Sequence, residues 1–305
     1  MDGRVVVVTG ASSGIGEHTA LGLARQGAIT VLACRNRSKA EVVADRIRHE
    51  AESGTVELVD LDLADLASVH RCAGTILDRY DRLDVIVNNA GGIWSPRGES
   101  AQGLEMTFAV NHMGHMALTL LLTDLLRTSS PSRVVTVSSV AHWMALGGLR
   151  FDDLQSERHY SGLAAYARSK LANLLFTAEL SSRLAASGVT ANAVHPGPVR
   201  SGFGMDGDLG GLVGWGNRLV RPLEITPQAG AATSIYVASA PELSAVTGGY
   251  FARCRPARTA PWARSAADAA RLWDASLHLL DQVGYPVPDI AASASGSDAR
   301  PAGSA

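Results

Sequence analysis

An excess of charge of one sign, paired cysteines and long apolar runs are all missing from this chain, and each absence bears on what it can be. Lysine and arginine number 27 against 29 aspartates and glutamates, a formal net charge of −2 over 305 residues. So balanced a charge gives no electrostatic ground for binding nucleic acid. The three cysteines, Cys34, Cys72 and Cys254, have no CxxC or CxxH spacing. That argues against a disulfide framework or a zinc site, so no metal is expected, and a reducing, cytoplasmic compartment is. Apolar runs such as 5–8 and 117–122 fall far short of the roughly 20 residues that span a bilayer. The valines at 5–8 run straight into a glycine-rich turn, which is not the pattern of a signal peptide. What is present is a globular composition, 46% hydrophobic and 18% charged, enough for a full core.

Short β-branched runs alternate with longer amphipathic segments. Strands are predicted over 4–9, 29–34, 56–60, 85–88, 133–138 and 190–194, and helices over 14–26, 38–53, 67–79, 104–127 and 163–187. Runs such as Val85-Ile86-Val87 are apolar without alternation, as in a parallel sheet covered on both faces. Repeated β-α-β units give an α/β fold: one Rossmann domain over 1–287, its doubly wound parallel sheet flanked by helices. A glycine- and proline-rich stretch, about 198–225, reads as a loop over the substrate. Beyond it a helix is predicted over 226–238, a strand over 249–252 and a helix over 265–280. The tail at 288–305 is predicted to be disordered.

The first strand leads into Thr9-Gly10-Ala11-Ser12-Ser13-Gly14-Ile15-Gly16 and then a helix. Unpaired amides and the helix dipole attract a pyrophosphate there, and glycine lets the backbone come close. No Lys-Ser/Thr follows, which argues against a P-loop ATPase. The second strand ends in Ala33-Cys34-Arg35-Asn36-Arg37, basic where an acid would favour NAD, and a guanidinium suits a 2′-phosphate. NADP(H) is the expected cofactor. Tyr166 and Lys170 stand i, i+4 on one helical face, where an ammonium favours the phenolate and tunes a phenol for proton transfer. Ser138 and Ser139 end a strand upstream, and only one of them can face the substrate.

In this order the motifs resemble the short-chain dehydrogenase/reductase family over nearly the whole chain, to about residue 282. They are the glycine loop, Asp62-Leu63, Asn88-Asn89-Ala90-Gly91, Asn111, Ser139, Tyr166 with Lys170, and Pro196-Gly197. Val110-Asn111-His112-Met113-Gly114-His115, Ser138-Ser139-Val140-Ala141-His142 and Ser169-Lys170-Leu171-Ala172-Asn173 look most like the retinol dehydrogenase and WW-domain oxidoreductase-like branch. The resemblance implies that Tyr166 exchanges a proton with the substrate oxygen, which Ser139 also binds. It implies that Lys170 holds the nicotinamide ribose and lowers the Tyr166 pKa, and that Asn111 positions a water. Asp62 would meet the adenine, Asn89 the adenosine ribose region, and Val199 with Ser201 the nicotinamide amide and phosphates. Leu63, Ala90, Gly91, Pro196 and Gly197 complete the cofactor set, and Arg35 fits an NADP preference.

The resulting expectation is an NADP(H)-dependent oxidoreductase interconverting carbonyl and alcohol on a hydrophobic small molecule by hydride transfer. Its alternatives are a non-redox isomerase, cyclase or dehydratase on the same scaffold, and a non-enzymatic NADP(H) sensor. Membrane-bound enzymes of the resembled branch carry an N-terminal anchor, whereas this chain opens on its first strand; a protein without a membrane span is expected. The family assembles through its long helices, here 104–127 and 163–187, so a homodimer or homotetramer is expected. High Ala, Arg and Gly usage fits a bacterial enzyme of secondary metabolism. His142 is expected to line the substrate cavity, Tyr160 to enter the helix beside it, and His112 and His115 to be packing residues. Arg253, Arg255, Arg258, Arg264 and Arg271 read as a solvated face, and Cys34 as a small core residue.

Overall fold

The valines of β1 (Val5–Thr9) show how the chain is layered. The pleat sends Val5 and Val7 into one apolar layer and Val6 and Val8 into another, and all four are buried. A strand apolar on both faces needs helices on both sides. The computed structural model, which describes residues 1–51, 54–197 and 225–291, supplies them. The sheet has the order β3-β2-β1-β4-β5-β6-β7-β8. Its strands are β1, β2 (Ile29–Cys34), β3 (Thr55–Asp60), β4 (Val85–Asn88), β5 (Ser132–Val137), β6 (Val189–His195), β7 (Tyr250–Ala252) and β8 (Arg255–Pro256). All pairings are parallel except β7 with β8.

Helices α1 (Gly14–Ala24), α2 (Arg37–Glu50) and α8 (Pro227–Ser239) pack on the Val6 side. Helices α3 (Leu66–Arg79), α5 (Gly114–Leu121), α7 (Gly162–Arg183) and α9 (Ala266–Gln282) pack on the Val5 side. The helix predicted over 104–127 is broken into α4 (Met106–Phe108), a π-helical turn at Ala109–Met113, α5 and α6 (Thr123–Thr128). In the widened turn the Gly114 N–H reaches back five residues to the Ala109 carbonyl. Hydrophobic periodicity does not register such a one-residue insertion.

The middle turns of the two long helices predicted over 104–127 and 163–187 are covered within one chain. Residues 114–120 of α5 and 169–177 of α7 are buried without a break, so every face of those turns is covered. Part of the cover is α9: Trp273 stacks on Phe176 at 5.9 Å, and Ser276 meets His112 Nε2 at 3.0 Å. Beyond it Asp289 accepts from Trp273 Nε1 at 2.9 Å and pairs with Arg183 at 3.2 Å, while Ile290 is buried. The segment 288–291, predicted to be disordered, is therefore anchored; residues 292–305 lie outside the described ones. Among the described residues no helix is long and apolar enough to cross a membrane, and no cluster could hold a metal ion.

The β7–β8 hairpin was not predicted. Its two loop residues, Arg253 and Cys254, have φ of 52° and 55°, and Ala252 pairs with Arg255. Two central residues at positive φ define a tight turn that favours Asn-Gly. Here a long and a small L-residue take those places without that signal. Replacing Arg253→Asn together with Cys254→Gly is expected to raise stability by about 1–2 kcal/mol, read from the urea midpoint at unchanged slope. No gain would mean that the turn carries no strain.

Candidate active site

Parallel strands present all their C-terminal ends at one edge. Between β1 and β4 the chain leaves in opposite directions, which opens a crevice for a ligand. The loops on either side are bonded across it. Thr9 Oγ1 accepts from the N–H groups of Asn89 and Ala90 at 2.9 and 3.0 Å, and Asn89 Nδ2 donates to the Thr9 carbonyl at 2.9 Å. Closeness of the backbones requires glycine. A Cβ on Gly10, whose φ is +65°, would stand 2.8 Å from Ala90 Cβ, and one on Gly16 would stand 2.5 Å from Asn89 Nδ2.

The residues present fit a dinucleotide at this edge. Gly14, at φ +60°, has open space where a Cβ would stand, at the N-terminus of an 11-residue helix. The Ser13 side chain does not cap that helix, so the first amides are left to an anion. Ser12 and Ile15 lie half-buried in the same turn. At the adenosine end Asp62 is half-buried and accepts the Ala64 N–H at 3.0 Å, while buried Leu63 packs its carbonyl under Gly114. Arg37 is paired with Glu41 and Asp60, both at 3.2 Å, whereas exposed Arg35 has no ion pair among the described residues. Of the two arginines, Arg35 is thus the one available to a phosphate. Pro196 and Gly197 follow β6 at the same edge; Val199, Ser201 and the loop at 198–224 lie outside the described residues.

Next along the edge is the polar cluster. Ser138 Oγ donates to the Lys170 carbonyl at 2.7 Å, so Ser138 faces α7 and Ser139 is the half-buried one of the pair that bonds Tyr166. Lys170, only 3% exposed, donates from Nζ to the Val137 carbonyl at 3.1 Å and stands 5.6 Å from the Tyr166 ring centre. Asn111 is held in the π-helical turn. Its Oδ1 accepts the Gly92 N–H at 2.8 Å, and its Nδ2 donates to the Gly92 carbonyl and to Ser169 Oγ, both at 2.9 Å. A Cβ on Gly91 would come within 2.9 Å of Asn111 Oδ1 and 3.3 Å of Lys170 Nζ, so Gly91, Asn111 and Lys170 meet at one point. The structure brings Asn111, Ser139, Tyr166 and Lys170 together.

Burial dominates the protonation of this cluster. It pushes the Tyr166 phenol up to about 12, against a hydrogen bond with Ser139 that lowers it. It also pushes Lys170 down to about 8. The expectation that the ammonium lowers Tyr166 is corrected here, because desolvation drives both groups toward their neutral forms. A phenol of this kind is a proton donor at neutral pH.

Tyr160 stands at the entry of α7, as expected, and His142 sits differently from its expected place. His142 does not line a cavity: its ring is fully enclosed, Nδ1 lies 2.6 Å from the Ser139 carbonyl, and Nε2 accepts the Ala260 N–H at 3.1 Å. It fixes the backbone of Ser139 instead. Tyr160 gives its hydroxyl to the Trp94 carbonyl at 2.5 Å, with Glu105 Oε1 at 3.1 Å. Sequence reasoning passed over Thr9 and Ser169, whose hydroxyls tie the loops together. Their single signal is adjacency to Gly10 and Lys170.

A lysine held below its ordinary value of about 10.4 has a defined linkage. Between about pH 8 and that value the unfolded chain binds more protons, so stability rises with pH across this window. Lys170→Met is expected to abolish that rise and to be the more stable form at neutral pH. The Val137 carbonyl keeps the Asn173 donor at 3.1 Å. Urea unfolding of both forms across the window checks this, and parallel pH slopes would contradict the burial of an ammonium.

Comparison with known proteins agrees with this architecture. The family model for short chain dehydrogenase matches residues 4–151. Retinol dehydrogenase 12 of Homo sapiens is 44% identical over 280 residues, covering 92% of this chain and 87% of its own length. A solved structure of an uncharacterized protein from Mycobacterium Paratuberculosis is 36% identical with a TM-score of 0.75, covering 94% of this chain and 96% of its own. Another, described as an NAD(P) dependent gluconate 5-dehydrogenase from Beutenbergia cavernae with NADP bound at low occupancy, is 29% identical with a TM-score of 0.66, covering 83% and 96%. The glycine turn, the crevice beside it and these relatives agree: the chain belongs to the short-chain dehydrogenase/reductase family, in its retinol dehydrogenase branch, and is an oxidoreductase acting on alcohol and carbonyl groups.

Proposed function

We propose that the protein is an NADP(H)-dependent reductase or dehydrogenase acting on a hydrophobic aldehyde, ketone or alcohol, with Tyr166 as the general acid or base. The observation that carries this reading is the Tyr166 hydroxyl bonded to Ser139, with the Lys170 ammonium beside the ring. When bound, the nicotinamide supplies the hydride donor or acceptor. Ser139 and Tyr166 hold the substrate oxygen between two hydroxyls, and the neutral phenol gives it a proton during reduction. Lys170, 5.6 Å from the ring centre, keeps positive charge beside the phenolate that reduction leaves, which offsets part of the cost of forming that charge in a buried place. Asn111, locked to Gly92, keeps the loop carrying Gly91 against Lys170.

The preference for NADP(H) is supported by the unpaired guanidinium of Arg35 and the absence of an acidic residue at the end of β2. NADP in the Beutenbergia cavernae structure is consistent with it. A hydrophobic substrate is supported by Val140, Trp143, Met144, Leu146 and Leu163, five of the seven large apolar side chains exposed among the described residues. Four of them follow Ser139 directly, and Leu163 lies one turn before Tyr166. The relatives named retinol dehydrogenase make a long apolar alcohol or aldehyde the first class to try. Cysteines that are all unpaired fit a reducing cytoplasmic compartment.

The test is NADPH oxidation, followed by nicotinamide absorbance, against a panel of apolar aldehydes and ketones. Tyr166→Phe is expected to lose about 10²–10⁴-fold in kcat while still binding NADPH. Arg35→Ala is expected to weaken NADPH binding by about tenfold or more and to leave NADH binding unchanged. Tight NADPH binding with no oxidation over the whole panel would reject reductase chemistry.

A further inference from the structure

His115 stands one helical turn beyond Asn111, and its two ring nitrogens touch two different parts of the site. Nδ1 lies 3.2 Å from the Asn111 carbonyl oxygen, and Nε2 lies 2.9 Å from Thr9 Oγ1. The ring is fully buried, and burial holds it neutral, with a pKa pushed down to about 3. A neutral imidazole has one donor and one acceptor. A carbonyl can only accept, so Nδ1 carries the proton and Nε2 is the acceptor. The Thr9 hydroxyl must then donate to Nε2, since its lone pairs already take the N–H groups of Asn89 and Ala90. The rival acceptor, the Val87 carbonyl, is farther away at 3.4 Å.

From Asn111 the connection continues. Asn111 Nδ2 donates to Ser169 Oγ at 2.9 Å, and the Ser169 hydroxyl donates to the Tyr166 carbonyl at 2.8 Å. Donors and acceptors run in one direction from the amides of 89 and 90, through Thr9 and His115, to the Asn111 backbone carbonyl, and a second run starts at the Asn111 side-chain amide and passes through Ser169 to the helix of Tyr166. Bonds arranged head to tail in a low-dielectric interior strengthen one another. We infer that His115 is a positioning residue that couples the turn at Thr9, where the dinucleotide is expected to sit, to Asn111 and the tyrosine helix. An aliphatic side chain there would leave the Thr9 hydroxyl and the Asn111 carbonyl without these partners. A charged one would be buried without a counter-ion.

This role rests on the reaction proposed above, and its test has one part that needs no turnover. Nitrogen-15 NMR of the full chain, free and with NADPH, reads the tautomer, the His115 signal being identified by its loss on substitution. The expected result is a neutral ring protonated on Nδ1 from about pH 5 to 9. A proton on Nε2, or a charged ring in that range, overturns the assignment. Two amide variants then separate the halves. In His115→Asn the side-chain nitrogen can replace Nδ1, which keeps the Asn111 bond and loses Thr9. In His115→Gln the side-chain oxygen can replace Nε2, which keeps Thr9 and loses Asn111. His115→Asn is expected to weaken NADPH binding about tenfold with kcat within about twofold, and His115→Gln to do the reverse. Equal losses in both variants that follow their melting temperatures, or no change in either, would reduce His115 to a packing residue and overturn the proposal. A protein that shows the expected tautomer and affinity change but turns over nothing on the panel would count against the reductase reading alone.

Discussion

A lysine ammonium enclosed by protein, with no ion pair among the described residues, is the constraint to which the rest of this structure conforms. Among the described residues its ammonium donates to the Val137 carbonyl, which it shares with Asn173. To keep Lys170 there, α7 must lie hard against the end of β5, and the Ser138 hydroxyl bonding the Lys170 carbonyl fixes that approach. The same enclosure raises the phenol one turn away and leaves it protonated at neutral pH. An ammonium out in water would be easier to hold and would do less, because its field would be screened before it reached the phenol.

The two faces of the sheet divide the work. The layer with α1, α2 and α8 presents the glycine turn, whose first helical amides Ser13 does not cap, and the exposed Arg35. The opposite layer, with α5, α7 and α9, carries the groups that can move a proton. They meet only at the strand ends, where Thr9 and the loop after β4 are bonded to each other. A Rossmann sheet whose strand order turns back at β1 and resumes on its other side with β4 makes this meeting point by topology, before any particular side chain is chosen.

How much of this was legible in the sequence depended on whether the signal was local. Val85-Ile86-Val87 announced a buried strand because three successive apolar residues put apolar side chains on both faces. The glycine turn was readable because Gly10 and Gly16 are demanded by backbone approach that few other contexts need. Tyr166 and Lys170 were found by their spacing, but the direction in which the phenol is shifted was not. That direction depends on how much protein surrounds them, which four residues of sequence do not state. The π-helical turn around Asn111 and the Arg253-Cys254 hairpin carry no distinctive composition. His142 was expected to line the substrate cavity and His115 to pack, and only the partners across the fold, Ala260 in one case and Thr9 in the other, tell what each ring does. The anchoring of Asp289 and Ile290 likewise needed Arg183 and Trp273, more than a hundred positions away for the arginine.

The complete enclosure of α7 between 169 and 177 has a consequence for how such an enzyme can change. A side chain there meets packing on every side at once, so the seat of Lys170 has little freedom to move. The segment after Ser139, with Val140, Trp143, Met144 and Leu146 turned outward, has no such restriction. The surface at 140–146 is therefore the part of this edge that substitution can reshape most freely, while the position of Lys170 is held by its packing. A library that varies the surface beside Ser139 belongs at these four outward positions of 140–146, where a changed side chain disturbs little packing.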